Sequence, residues 1–179
     1  MSKLAILSLC VLGALPMAAS AQQDFFGPVM GDREFALSGT GSSDRDLDAN
    51  NFGAVAEVGW YLQDNTVWGV RQSINYADIQ GEDIQNDFWN GSTRAYYDYQ
   101  FGAGQAKPFV GGSLGFIYGD GVEDDAFAGL EGGIKYYVLP KTYVLGRVEY
   151  QWFFDQGSDA DNTFDEGAWA YTLGLGFNF

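Results

Sequence analysis

Nine ionisable residues stand singly inside otherwise apolar or small-residue runs: the acids Glu34, Glu57, Asp98, Glu131 and Glu149, and the bases Arg71, Arg94, Lys135 and Arg147. Carboxylates in such surroundings can serve as a general acid and a general base when their environments separate their proton affinities. The same five acids and four bases can instead neutralise one another as a buried ion-pair network, because a charge withdrawn from bulk water needs a partner. The near balance of signs favours the network, and no catalytic residue is assigned. Histidine is absent and the single cysteine is Cys10, so nucleophile–histidine systems and the commonest metal ligand are missing. Asp44, Asp46 and Asp48 begin like a calcium loop, but Ala49 stands where the turn glycine belongs and Val55 where the closing glutamate belongs. Neither a metal nor a cofactor is expected.

Holding those nine side chains on one face requires elements of period two. Alternation of that kind runs through eight segments: 33–42, 52–62, 66–76, 88–101, 108–118, 126–138, 142–153 and 167–179. In the last of them Trp169, Tyr171, Leu173, Leu175, Phe177 and Phe179 share one face, and Ala170, Thr172, Gly174, Gly176 and Asn178 the other. Gln72 is the exception, a polar residue on the greasy face of the third segment. All nine ionisable residues fall opposite the aromatic face. Turning the barrel inside out, as a soluble ligand-binding barrel would, puts nine ionisable side chains outside and five tryptophans in a space too small for them. The expected fold is therefore all-β, a closed eight-stranded antiparallel up-and-down transmembrane β-barrel, since closure removes the edges a bilayer does not tolerate. If the hairpin around Asp64 is symmetric, Glu57 faces Arg71. Tyr61, Tyr96 and Phe109 share the inward face and argue against a wide lumen.

The connections alternate in length. Gln63-Asp64-Asn65, residues 102–107 and Pro140-Lys141 are short, as periplasmic turns are, whereas 43–51, 77–87, 119–125 and 154–166 are long and polar, as extracellular loops are. The chain carries a net charge of −15, and 16 of its 24 acids fall in the four long connections against the single base Arg45. The acidity thus belongs to one rim, read as a solvated surface. Trp60 and Trp68 face outward near the short turns and Trp89, Trp152 and Trp169 near the long loops, as two interfacial girdles would. Residues 1–21 carry Lys3, an apolar run and a small-residue site at Ala19-Ser20-Ala21; a secretory signal peptide cleaved after Ala21 is expected, leaving 22–179 as the barrel.

The terminal WAYTLGLGFNF, with Phe179 last, resembles the closing strand of the small eight-stranded outer-membrane β-barrels, the group of the OmpA transmembrane domain, OmpX and the opacity proteins. The resemblance implies residence in the bacterial outer membrane, contact with its lipids and lipopolysaccharide, and a C-terminal aromatic, Phe179, read by the barrel-assembly machinery. With the residues above, the reading is a monomeric, non-catalytic envelope protein with a charge-plugged interior and acidic loops, contributing to envelope integrity or surface interaction. The alternatives are a small cation-preferring pore, a surface adhesin and an outer-membrane lipid enzyme. No nucleic-acid partner is expected. A second reading of the acidic rim is bridging to lipopolysaccharide by Ca²⁺ or Mg²⁺, which unchanged thermal stability and lipid binding on adding EDTA would rule out.

Overall fold

The computed structural model describes residues 25–43, 50–81, 84–119, 125–154 and 167–179. The signal-peptide reading, Arg45 and most of the acidic rim (Asp44, Asp46, Asp48, Glu82, Asp83, Asp120, Glu123, Asp124 and the acids of 155–166) lie outside those residues. Eight strands follow in order: β1 Arg33–Ser43, β2 Asn50–Gln63, β3 Thr66–Gly81, β4 Ile84–Gln100, β5 Ala106–Gly119, β6 Asp125–Tyr137, β7 Thr142–Phe154 and β8 Ala168–Asn178. Each pairs antiparallel with its neighbours in sequence, and β8 pairs with β1 to close the barrel. Crossing the wall from Arg33 through Trp60, Trp68, Tyr97, Gly112, Leu130, Tyr150 and Trp169 re-enters β1 at Ser43, not at Arg33, a stagger of 10 residues that tilts the strands.

The alternation resolves into two environments. Outward residues such as Leu114, Phe116, Leu173 and Leu175 are 61–70% exposed, whereas their inward neighbours are buried. A continuous apolar wall of that extent has no place in water. Inside, the half of the lumen nearest the short turns is filled by large side chains. Ala36, Phe109, Tyr137, Tyr143 and Leu145 form one cluster with Phe26 packed against it, and Tyr61, Val67 and Tyr96 form another.

The strands run further into the connections than expected: Ser43, Asn50, Asn51, Gln63, Gly119, Asp125 and Phe154 are strand residues, and two connections differ more. Residues 77–81 and 84–87, expected as loop, continue the β3–β4 ladder, so that Asp78 and Asp87 are register partners. A backbone ladder does not depend on an apolar face, and the sequence ADIQG…IQND has polar residues at both parities, so hydrophobic periodicity stops before the strand does. Ala106 and Lys107, expected in a turn, open β5, because their backbones pair with Tyr136 and Lys135. The β2–β3 turn is the two residues Asp64 and Asn65; a register shift beside it leaves Glu57 opposite Arg71.

Candidate functional site: the charged lumen

The interior charges occupy two layers. In the layer nearer the short turns, Glu34 of β1 is the hub. It accepts hydrogen bonds from Tyr61 (2.7 Å), Tyr96 (3.0 Å), Tyr143 (3.1 Å) and the Lys135 ammonium (2.7 Å). Gln100 and Lys135 also donate to the Tyr61 hydroxyl, at 2.7 and 3.2 Å. One carboxylate on β1 thereby joins β2, β4, β6 and β7.

The second layer centres on Arg71, 1% exposed. Its Nε donates to Glu57 at 2.7 Å, and its two Nη atoms form a bidentate pair with Glu131 at 2.7 and 3.0 Å, the geometry in which guanidinium and carboxylate bind best. Arg147 donates to Glu57 at 3.0 Å. Arg94 donates to Glu149 at 2.5 Å and to Ser92 at 3.2 Å, and Ser113 and Gln151 complete the shell of Glu149. Each layer is balanced, with Glu34 against Lys135 in one and Glu57, Glu131 and Glu149 against Arg71, Arg94 and Arg147 in the other.

Asp98 remains. It is 1% exposed, Glu131 adjoins it across Gly111, and its Oδ1 has no hydrogen-bond partner. Arg147 likewise keeps Nε and Nη2 unpartnered, and Arg94 its Nε. Three side chains lie over aromatic rings: Arg71 on Tyr96 at 4.5 Å, Arg94 on Phe127 at 5.2 Å and Lys135 on Tyr143 at 5.0 Å. Among the described residues no group of three metal-ligating side chains converges.

On the outside, Trp60 and Trp68 are register partners stacked at 5.0 Å. Tyr150 meets Trp152 and Trp169 edge-on, at 4.8 Å in each case, near the other end of the wall. Trp89, 57% exposed, lies on β4 short of the tip of the extended hairpin. Phe179 is exposed against Phe177 at 5.5 Å, and its backbone exchanges hydrogen bonds of 2.8 and 2.9 Å with Arg33, joining the two ends of the wall. A model of the outer membrane protein beta-barrel domain family matches residues 7–179. The chain belongs to that family.

Solved outer-membrane barrels share the fold. The N-terminal β-barrel domain of Pseudomonas aeruginosa OprF is 20% identical over 84% of this chain and 98% of its own, with a TM-score of 0.62. Neisserial surface protein A is 17% identical over 83% of this chain and 96% of its own (TM-score 0.60). OprG from Pseudomonas aeruginosa is 17% identical over 86% and 98% (TM-score 0.60). At such identities the likeness is one of fold alone. No curated protein sequence matches the chain. Among the described residues no helix is long and apolar enough to cross a membrane; the crossing is made by strands.

A polar group on the lipid side of an outer-membrane barrel must be satisfied by the protein itself, and Gln72 is. Its Nε2 donates to the Tyr118 hydroxyl at 2.7 Å, Thr93 donates to its Oε1 at 2.6 Å, and the Tyr118 and Thr93 oxygens lie 3.1 Å apart, closing a ring of three hydrogen bonds. Sequence reasoning missed this ring, because Thr93 is Gln72's partner only through the β3–β4 register. It also missed the tyrosines around Glu34, although their inward parity and polar tips were a signal: a buried Tyr hydroxyl seeks an acceptor.

Proposed function

We propose that this outer-membrane barrel is a closed structural element of the envelope, with a lumen plugged by its own side chains and an acidic rim turned to the outside. The observation that carries the reading is the pair of charge-balanced layers, stacked on aromatic packing in an eight-stranded barrel, where side chains alone suffice to fill the interior. Every interior carboxylate in an ion pair is held by donors that leave little freedom for proton transfer to a substrate, which supports packing over turnover. The short turns and both ends of the barrel face the periplasm, the tryptophan groups sit at the two interfaces, and Phe179 is the mark read by the assembly machinery. The protein is a monomer among lipids and lipopolysaccharide, made with a leader removed after Ala21.

The test is single-channel conductance of the refolded protein in a planar bilayer, with heated and unheated SDS gels as the control for folding. A shifted unheated band without steady conductance is expected. Steady, cation-selective steps would overturn the reading in favour of a small pore whose rim gathers cations.

A further inference from the structure

Residues 25–32, FFGPVMGD, precede β1 and lie across the short-turn mouth of the lumen. At one side Gly31 N donates to Tyr61 O and Tyr61 N to Asp32 O, each at 2.9 Å, fixing the segment to the end of β2, and Met30 N donates to Asp64 Oδ1 of the β2–β3 turn at 2.7 Å. At the other, Gly27 N donates to Pro140 O at 2.9 Å, and Asp32 forms an ion pair with Lys141, both in the β6–β7 turn. In an eight-stranded ring those two turns are diametrically opposed. Between them Phe26 packs on the cluster of Ala36, Phe109, Tyr137, Tyr143 and Leu145, and Pro28 is among the most deeply buried residues of the chain.

The segment holds two glycines in the left-handed region, Gly27 at φ +114° between Phe26 and Pro28 and Gly31 at φ +91° beyond them, a region L side chains rarely adopt. Gly27 also lies against Lys107, where a Cβ would come within 2.2 Å of Cε. The segment's C-terminal end is held by the Tyr61 backbone of β2 and by a turn of its own, in which Val29 N donates to Asp32 Oδ2 at 2.9 Å and Asp32 N to Val29 O at 3.0 Å; ahead of that turn the anchorage is the Gly27 bond to Pro140 and the packing of Phe26 and Pro28, in contrast to the strands, each held by two full ladders. Such weakly held segments open at far lower cost than the fold they cover.

We propose that residues 25–32 are a hinged stopper: Phe26 and Pro28 seal the short-turn mouth, and swinging out about Gly31 admits water to the lower lumen as far as the Glu34 layer while the Arg71 layer stays shut. The proposal rests on the plugged-barrel reading only for that last clause. Its test uses the refolded protein without residues 1–21, which then has no native cysteine, carrying Leu145→Cys as a reporter and a charged methanethiosulfonate as the probe. The reporter is expected to react slowly when the stopper is intact and roughly tenfold faster with Gly27→Ala or Phe26→Ala added. Ala36→Cys, in the same cluster, replaces the reporter if Leu145→Cys loses the heat-dependent gel shift. Fast labelling with the stopper unaltered, or equal slow rates in all variants, would overturn the stopper. Conductance measured on the same variants is expected to stay silent; its appearance would refute the shut Arg71 layer, and the labelling rates would still decide the seal.

Discussion

Arg71→Met is the most informative single perturbation of the lumen. Arg71 makes three hydrogen bonds to two carboxylates at 2.7, 2.7 and 3.0 Å, all buried. Its removal affects those carboxylates unequally, since Glu57 keeps Arg147 at 3.0 Å whereas Glu131 loses both of its guanidinium bonds beside Asp98. Stranding a buried charge in this way costs about 3–5 kcal/mol. Two double variants separate the causes. Arg71→Met with Glu131→Met leaves Glu57 on Arg147 and Glu149 on Arg94, and recovers most of the loss, because exchanging a whole buried pair for apolar groups is roughly neutral. Arg71→Met with Glu57→Met still strands Glu131, strands Arg147 as well, and recovers little. Urea unfolding in lipid vesicles, followed by tryptophan fluorescence and the gel shift, reads all three. A single variant within about 0.5 kcal/mol of the parent, or two doubles of equal stability, would refute the reasoning.

Other consequences use the same assay. Tyr118→Phe breaks the closed ring on the lipid face and costs about 1 kcal/mol, whereas Gln72→Leu is close to neutral because Thr93 and Tyr118 retain each other; the two unfolding midpoints check this. Gly111→Ala sets a Cβ 1.9 Å from Asp98 Oδ1 and costs about 1–3 kcal/mol by overpacking; Gly146→Ala, with no atom within 4 Å of its Cβ, should leave the midpoint unchanged. Phe179→Ala lowers the amount of barrel assembled in cells while the refolded protein unfolds at nearly the parent urea concentration; a matching fall in both would assign Phe179 to stability, not recognition.

The wall was readable because a lipid-facing strand writes its environment into every second residue; Trp169 to Phe179 alone gives the rule, and the other strands repeat it. The pairing of Glu57 with Arg71 was readable too, since a short hairpin fixes register locally. The layers were not. Glu34 and Lys135 are 101 residues apart, Arg71 and Glu131 60 apart, and which of them meet depends on how the closed ring is staggered, a property of the whole ladder. The stopper escaped for a different reason: FFGPVMGD has no period, and its place is set by turns distant in sequence. The ends of β3 and β4 escaped because polar residues on both faces look like loop.

The reach of Glu34 bears on how such a barrel forms. Its four donors come from β2, β4, β6 and β7, so no hairpin formed alone supplies more than a part of what this carboxylate needs. A partly inserted sheet would hold bare charge against hydrocarbon, a state several kcal/mol uphill for each unpaired group. The stable route is for the chain to enter as a nearly complete ring, the β1–β8 seam shutting as Lys135 and the tyrosines arrive together. Assembly is then concerted and slow, as contacts of long sequence separation require, and a single interior substitution is felt as a lower yield of closed barrels before it is felt as a leak.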